Sequence, residues 1–233
     1  MERSSYMLPV AVGCSYNRCT FCTLFKHLRY RPLPIEQVEQ ELKRVSAAGG
    51  NPVQIFLGDG NALGMETDHL LHILELIHRY FPGCRMVNMD ATVTNISQKS
   101  DEELRLLYDQ GVRRLYLGIE SGLDDVLSFT KKDHNLQQAY CQIERMKNAG
   151  MIFNAHIMTG IAGAGRGTEN AQQTALFFNR TQPERIINFS LFLNRRAPLF
   201  RDYQAVRFTP ASELENLMED RLLVSLLQVP GLH

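Results

Sequence analysis

Three of the five cysteines lie within a nine-residue stretch, at Cys14, Cys19 and Cys22. Their spacing is C-x4-C-x2-C, which is unlike the layout of a secreted disulfide framework. Three thiolates in one short segment are a ligand set for a soft metal or an iron–sulfur cluster. Cys84 and Cys141 stand alone, and we interpret them as small structural thiols.

The number of cysteines alone leaves three kinds of metal site open. Zinc accepts four nitrogen or sulfur ligands, so His27 could complete a Cys3His site. A plant-type ferredoxin cluster has the same cysteine spacing but needs a fourth cysteine, for which Cys84 is the nearest candidate. A 4Fe-4S cluster held by three thiolates would leave one iron open to a small molecule.

The remaining sequence predicts the elements that position these cysteines. Short apolar runs alternate six times with segments of helical periodicity, without a break in composition. We therefore predict a single α/β domain over residues 1–233, with residues 200–233 as a carboxyl-terminal helical segment. The predicted strands are Leu8–Val12, Val53–Leu57, Met86–Asp90, Arg114–Gly118, Ile152–Met158 and Ile186–Phe192.

A helix is predicted after each strand. The first begins at Pro34, and the third begins with the capping box Ser100 to Glu103. Later helices are expected to start near Asn135, near Thr168 and at Thr209-Pro210, where a side-chain oxygen is available as an N-cap.

Regular βα alternation predicts a parallel sheet with right-handed crossovers. A doubly wound sheet would have near-continuous apolar strands, but three of these strands carry polar residues on one face. The polar pairs are Asn88 with Asp90, Asn154 with His156, and Asn188 with Ser190. Such a row suits a lumen that holds a ligand, and six units are too few for an eight-stranded barrel. We therefore predict a partial (β/α)6 TIM-like barrel.

The loops that follow the strands form the working face of a βα barrel. The connection from Gly13 to Leu33 is far longer than the usual roughly two to six residues, and it holds all three clustered cysteines. Glycines, which permit close backbone approach to a ligand, recur at the same end of other strands. They are Gly58, Gly60, Gly118, Gly122, Gly160, Gly163, Gly165 and Gly167.

The run from Gly13 to Cys22, with Thr20-Phe21 before the last cysteine, resembles the radical S-adenosylmethionine (SAM) superfamily. It is most similar to the branch that contains oxygen-independent coproporphyrinogen oxidases and methylthiotransferases. Most members use C-x3-C-x2-C, so this chain has one extra residue, as do some uncharacterised members with C-x4-C-x2-C. The resemblance extends from Leu8 to Phe200.

The resemblance implies that the three cysteines hold a 4Fe-4S cluster with one iron left open for SAM. Phe21 matches the aromatic residue that shields this cluster and lies near the adenine of SAM. Gly58, Asp59 and Gly60 stand where the superfamily binds the amino group of the methionine moiety. Many relatives have Gly followed by Glu there, so Asp59 is a departure from the pattern.

Two later motifs complete the implied SAM site. Glu120 and Ser121 lie in a G-x-E-S-G sequence that matches the segment touching the ribose hydroxyls. Met158, Gly160 and Ile161 end the fifth predicted strand, where backbone and apolar groups usually hold the adenine.

The implied reaction is reductive cleavage of SAM to a 5′-deoxyadenosyl radical, which abstracts hydrogen from an unknown small-molecule or peptide substrate. A flavodoxin or ferredoxin is the kind of electron donor expected. Asp90, Asn154, His156 and Asn188 are predicted to contact the substrate, because they should face the lumen beyond the SAM motifs. The alternative is an inactive protein that binds an iron–sulfur cluster or zinc on the same scaffold.

Basic and acidic residues balance at 25 each, so no broad positive field is present and nucleic acid is an unexpected partner. Apolar stretches fall far short of the roughly 20 residues needed to cross a bilayer, and no signal-peptide core follows Met1–Ser5. A cytoplasmic protein without membrane contact is the expectation.

Overall fold

The computed structural model describes residues 5–229. The predictions for residues 1–4 and 230–233, including the end of the carboxyl-terminal segment, lie outside the described residues. The chain divides into two compact units by its internal contacts. The first unit contains the chain up to Asn17, Phe25–Tyr116 and Arg145–Ile152, and the second contains Arg18–Leu24, Leu117–Glu144 and the chain from Phe153 onward. The prediction of a single domain stays a prediction.

The first unit contains the amino-terminal strands and their helices. In chain order these are β1 (Tyr6–Gly13), β2 (Arg31–Pro32), α1 (Ile35–Ala47), β3 (Gln54–Gly60), a 3-10 turn (Ala62–Gly64), α2 (Thr67–Tyr80), β4 (Met86–Ala91), α3 (Val93–Ser97), α4 (Asp101–Asp109) and the start of β5 (Val112–Glu120).

The second unit contains the end of β5 and most of the later elements. They are α5 (Asp124–Phe129), most of α6 (Leu136–Asn148), β6 (Ile152–Thr159), α7 (Gly167–Thr181), β7 (Arg185–Ser190), α8 (Leu199–Gln204) and α9 (Glu213–Leu226).

The strands form one sheet in the order β2-β1-β3-β4-β5-β6-β7. The short β2 pairs antiparallel with β1, whereas the β1–β3, β3–β4 and β6–β7 pairs are parallel. Each long strand neighbours the next long strand along the chain, so the order never reverses as it does in a doubly wound sheet. The predicted fold class is confirmed: α/β with a mostly parallel sheet, in the strand order of a partial (β/α)6 barrel.

All six predicted strands are present, and the helix caps are confirmed in part. The Ser100–Glu103 capping box begins α4, and Asn135 caps α6 by accepting from the backbone N–H of Gln138 at 2.9 Å. The cap predicted at Thr209 is wrong, because Ser212 and Glu215 form a reciprocal capping box that starts α9 later. The cap predicted near Thr168 is also wrong, since α7 begins at Gly167 without a side-chain cap.

Strand register in the first unit separates an apolar face from a polar one. Leu8, Leu57 and Met89 are aligned across β1, β3 and β4 and are fully buried. The alternate positions place Asn88 beside Phe56 and put Asp90 on the same face. The sheet therefore turns the predicted polar row of β4 away from this apolar layer.

Candidate functional site

The predicted cluster ligands are divided between the two units. Cys14 belongs to the first unit, and Cys19 and Cys22 belong to the second. All three thiols are free of disulfides and partly exposed, so their chemistry fits a soft metal or iron–sulfur centre. Within residues 5–229 no three His, Cys, Asp or Glu side chains are grouped as metal ligands. The ligand assignment stays a prediction from the motif.

Cys14 lies just past β1 and has a hydrogen-bond donor beside its sulfur. The backbone N–H of Asn17 donates to Sγ of Cys14 at 3.5 Å. Burial, with the nearby charge of Cys14 as a smaller cause, raises the pKa of Tyr30 to about 12. The Tyr30 hydroxyl donates to the backbone carbonyl of Asn61 at 3.2 Å, so the ring stays protonated and anchored beside this cysteine.

The predicted amino-group motif at the end of β3 lies against the end of β1. The backbone N–H of Asn61 donates to the carbonyl of Gly13 at 3.2 Å, and a Cβ on Gly60 would collide with that carbonyl. Asp59 is exposed and has a left-handed backbone with φ of 63°. Strained backbone of this kind is often found at ligand sites, which suits the predicted roles of Gly58, Asp59 and Gly60.

An amide network ties the cysteine segment to the same strand ends. The Asn61 Nδ2 group donates to Oδ1 of Asn95 at 2.5 Å and to Oγ of Ser15 at 3.2 Å. Asn95 is held in turn by a capping box with Thr92 at the start of α3. Ser15, the residue after Cys14, is therefore held by the side chain of Asn61, just after β3, and by that of Asn95 in α3.

In the second unit, Glu120 takes part in a buried charge cluster. The Nζ atom of Lys132 lies 3.3 Å from Oε1 of Glu120 and 3.7 Å from Oδ1 of Asp133. Nδ1 of His134 lies 3.1 Å from the same Asp133 oxygen. A Cβ on Gly118 would crowd both the Glu120 carboxylate and the Lys132 ammonium, which explains the glycine two residues before Glu120.

Lys132 also acts on the second cysteine. Burial raises the pKa of Cys19 to about 11, while the positive charge of Lys132 opposes that rise. Burial alone would lower the pKa of Lys132, but the charges of Glu120, Cys19 and Asp133 outweigh it and leave that pKa raised. Lys132 thus carries a positive charge that pairs with the predicted ribose contact and also acts on a predicted cluster ligand.

The predicted adenine contacts lie in one apolar cluster. Phe21 and Met158 pack against a buried group that contains Ile161, Leu123 and Val126. A cavity of about 480 Å³ adjoins this cluster. Its lining includes Val126, Phe129, Ile161, Ala162, Gly163 and Phe208. The second unit therefore brings together three of the predicted cofactor residues beside a cavity.

Ser121 and Gly160 are fixed by α7 and α9. The Ser121 hydroxyl donates to Oδ1 of Asn170 at 2.6 Å, and Nδ2 of Asn170 donates to Oε1 of Glu219 at 2.7 Å. The other Glu219 oxygen accepts from the backbone N–H of Gly160 at 3.2 Å. Burial raises the pKa of Glu219. The ends of β5 and β6 are thereby held through one buried network.

Asp90 is the candidate substrate contact of the first unit. It shares a strand face with Asn88, and the ring of Phe56 on that face lies 5.5 Å from the ring of Tyr116. Burial raises the pKa of Asp90 to about 6. The carboxyl can therefore hold or release a proton close to neutral pH.

Asn154 and His156 share one face of β6 in the second unit. Asn154 is fully buried, and within residues 5–229 neither of its amide atoms has a hydrogen-bond partner. Burial lowers the pKa of His156 to about 4, so the imidazole is neutral at pH 7. Its ring meets Phe189 edge-on at 5.5 Å.

Asn188 does not share that face, contrary to the expectation. It is aligned with Ile157, and neighbouring residues of parallel strands at the same register point the same way. Its Nδ2 donates to Oδ1 of Asp220 at 2.7 Å, and its Oδ1 accepts from the Thr159 hydroxyl at 2.9 Å. Asn188 therefore joins β7 to α9 on the face opposite His156.

The Lys132–Asp133–His134 cluster was missed by sequence reasoning. A run of charged residues after a short helix is typical of a solvated turn. The one sequence signal that set this run apart was that Lys132 lies 12 residues after Glu120. Asn170 and Glu219 were missed because their partners are distant in sequence.

A model of the Radical SAM superfamily matches residues 8–171, which is most of the chain. The chain belongs to the Radical SAM superfamily. The match includes the three cysteines, the glycine motif at the end of β3 and the G-x-E-S-G motif at the end of β5.

Curated relatives support the predicted branch. The heme chaperone HemW of Bacillus subtilis is 24% identical over 223 residues, which cover 92% of this chain and 58% of HemW. The ribosomal protein uS12 methylthiotransferase RimO of Desulforamulus reducens is 22% identical, with 92% of this chain and 46% of RimO covered. The chain spans about half the length of these relatives.

Solved structures share the fold. Coproporphyrinogen III oxidase (HemN) from Escherichia coli aligns with a TM-score of 0.69 at 15% identity, covering 95% of this chain and 52% of HemN. The methyltransferase TsrM from Kitasatospora setae, solved with cobalamin and a [4Fe-4S] cluster, aligns with a TM-score of 0.65 at 16% identity, covering 84% of this chain and 38% of TsrM. Among the described helices of this chain, none has the length and apolar character needed to span a membrane.

Proposed function

We propose that this chain binds a 4Fe-4S cluster through Cys14, Cys19 and Cys22, binds SAM at the open iron, and cleaves SAM reductively. The resulting 5′-deoxyadenosyl radical abstracts hydrogen from a small-molecule or peptide substrate. The electron comes from a protein donor such as a flavodoxin or ferredoxin in the cytoplasm.

The observation that carries this proposal is the link from Cys19 through Lys132 to Glu120. Two motifs about 100 residues apart in sequence, one for the cluster and one for SAM, interact with the same buried ammonium group. Phe21, which lies between Cys19 and Cys22, packs with Met158 of the third motif. These contacts among superfamily motifs support the proposal of a shared cofactor site.

When bound, the cluster supplies one electron and SAM supplies the 5′-deoxyadenosyl group. The cysteine thiolates hold the cluster, and Lys132 offsets the negative charge that gathers beside Cys19 and Glu120. The carboxylate of Glu120, held by this ammonium, would bind the ribose hydroxyls of SAM. Phe21, Met158 and the Ile161 cluster would exclude water from the bound cofactor.

On the substrate side, three residues offer different chemistry. Asp90 can accept or give a proton near neutral pH, because burial raises its pKa to about 6. His156 stays neutral and can donate or accept one hydrogen bond, since burial lowers its pKa to about 4. Asn154 offers an amide with both atoms unpaired among the described residues.

The test is anaerobic reconstitution with iron and sulfide, reduction with dithionite in the presence of SAM, and chromatographic detection of 5′-deoxyadenosine. The matched control for Cys19→Ala is Cys141→Ala, because Cys141 is an exposed free thiol outside the motif. We expect product from the wild type and Cys141→Ala and none from Cys19→Ala. Zinc in place of iron, or equal product from both variants, would overturn the proposal.

A second candidate is a chain that binds the cluster and SAM without turnover. HemW is named as a heme chaperone, and this chain matches HemW over 92% of its length. An intact cluster and measurable SAM binding without any 5′-deoxyadenosine would favour this candidate over the enzyme.

A further inference from the structure

We propose that Asn17 is a positioning residue that holds Cys14 as a cluster ligand within the longer C-x4-C spacing. It folds the segment so that its own backbone N–H faces the sulfur of Cys14. This inference rests on the proposed cluster. It assigns a role to a residue that lies inside the cysteine run but is not itself a ligand.

The backbone of Asn17 is the first step of the argument. Its φ is 49°, in the left-handed region that most residues avoid and that asparagine tolerates better than most. This conformation reverses the chain three residues after Cys14. The reversal brings the Asn17 N–H to 3.5 Å from Sγ of Cys14, within the range of a hydrogen bond to sulfur.

The side chain and carbonyl of Asn17 hold this conformation in place. Nδ2 donates to the carbonyl of Phe25 at 2.7 Å and, more weakly, to that of Leu28 at 3.4 Å. The carbonyl of Asn17 accepts from Nζ of Lys26 at 2.7 Å. Phe25 and Leu28 are themselves joined by a backbone hydrogen bond of 3.0 Å. The backbone N–H, the backbone carbonyl and the side-chain Nδ2 of Asn17 are thus all used within the loop.

The consequence concerns the charge on the first ligand. An N–H aimed at a thiolate stabilises negative charge, and hydrogen bonds to the sulfurs are among the features that set the potential of an iron–sulfur cluster. Because the reduced cluster is more negative than the oxidised one, the Asn17 N–H favours reduction. The extra residue of the spacing therefore contributes a donor as well as length.

The test compares Asn17→Gly with Gln182→Gly. Glycine adopts the left-handed backbone without strain, so Asn17→Gly removes only the side-chain ties. Gln182 is a close match, because its φ is also 49° and its Nε2 donates to two carbonyls, of Asn179 at 2.7 Å and Gln228 at 3.3 Å. Asn17→Asp is the second variant, since aspartate keeps the shape and the left-handed tolerance but lacks the amide donor. Because its negative charge alone would make the reduction potential more negative, this variant is used for iron loss and hydrogen exchange only.

Two measurements are made on reconstituted protein. We expect Asn17→Gly to have a more negative reduction potential by spectroelectrochemistry than the wild type. We also expect both Asn17 variants to lose iron to a chelator roughly two- to tenfold faster, the range that follows from losing one ordinary hydrogen bond. Gln182→Gly should match the wild type in both measurements. A wild-type potential in Asn17→Gly together with wild-type iron loss in both Asn17 variants would overturn the inference.

A third measurement separates this inference from the proposed function. Hydrogen exchange of the metal-free chain, followed by mass spectrometry on peptides covering residues 14–28, needs no cluster. Faster exchange there in the Asn17 variants, but not in Gln182→Gly, supports the anchor, and unchanged exchange overturns it. If the wild type assembles no iron–sulfur cluster, the proposed function fails while this exchange result still decides whether Asn17 holds the loop.

Discussion

The ammonium group of Lys132 lies 3.3 Å from the carboxylate of Glu120, and both side chains are almost completely buried, with 6% and 10% of their surfaces exposed. Glu120 holds this position with a left-handed backbone, at φ of 67°. Removing the ammonium would leave two buried carboxylates, those of Glu120 and Asp133, without compensation.

Lys132→Met should therefore lower the free energy of unfolding by roughly 3–5 kcal/mol, the cost of breaking a buried ion pair from one side. Chemical denaturation of the metal-free protein measures this. The control is Lys131→Met, the same change at the exposed neighbouring lysine, where we expect less than about 1 kcal/mol. Equal effects of the two substitutions would contradict the assigned role of Lys132.

Asp90→Asn should change how stability depends on pH. An unfolded aspartate titrates near about 4, whereas burial raises the pKa of folded Asp90 to about 6. Between these values the folded state holds a proton that the unfolded state has released, so wild-type stability falls as pH rises through this window. Asp90→Asn lacks this loss. Its free energy of unfolding, relative to that of the wild type, should therefore rise by roughly 2–3 kcal/mol as the pH goes from 4 to 7.

Denaturation series at several pH values give this comparison. Asp109→Asn is the control, because Asp109 is an exposed aspartate on α4 and stays hydrated in both states. A constant difference between Asp90→Asn and the wild type across the pH range would show that Asp90 is solvated in the folded protein.

Asn154→Leu should leave the unfolding free energy unchanged or raise it by up to roughly 2 kcal/mol. Asn154 is fully buried, and its amide has no partner within residues 5–229, so an apolar side chain of similar size removes a desolvation cost. Under the proposed function, the same variant should lose substrate-dependent turnover while still cleaving SAM.

Asn170→Leu is the matched comparison for this prediction. Asn170 is also buried, but it bonds to Ser121 and Glu219, so the same substitution should cost roughly 1–3 kcal/mol. Thermal and chemical unfolding of the two variants side by side provide the measurement. A similar loss of stability in both would mean that Asn154 makes hydrogen bonds in solution.

Gly60→Ala should destabilise the first unit by roughly 1–3 kcal/mol, because its Cβ would collide with the carbonyl of Gly13 and force the ends of β1 and β3 apart. Gly58→Ala is the control in the same motif. A Cβ there would meet mainly the terminal methyl of Met7, which can move aside at little cost. Unfolding curves and equilibrium SAM binding are the measurements. Both stability and SAM affinity should fall more in Gly60→Ala than in Gly58→Ala.

Sequence patterns predicted the strands well because a buried parallel strand needs an unbroken apolar face. The predicted strand Met86–Asp90 matches β4 (Met86–Ala91), and the shared faces of Asn88 with Asp90 and of Asn154 with His156 follow directly from the two-residue repeat of a strand. The face of Asn188 could not be predicted, because it depends on how β7 is aligned with β6.

The cofactor residues were predictable where a motif is local in sequence, as in the cysteine segment and Gly118–Gly122. Lys132 was not predictable in this way. Its burial depends on the absence of a side chain at Gly118 and on two carboxylates that share its charge, which only the folded chain brings together. The N-cap of α9 was missed because Thr209 and Ser212 both precede it, and only Ser212 has a glutamate three residues later.

The strand order has a consequence for synthesis of the chain. From β3 to β7, each long strand pairs on one side with the long strand made just before it. A strand that leaves the ribosome therefore finds its partner already made, and no earlier strand must wait for a distant part of the sequence. From β3 onward, one edge of the growing sheet is always the newest long strand, and the next strand to be made covers its unpaired backbone, up to β7.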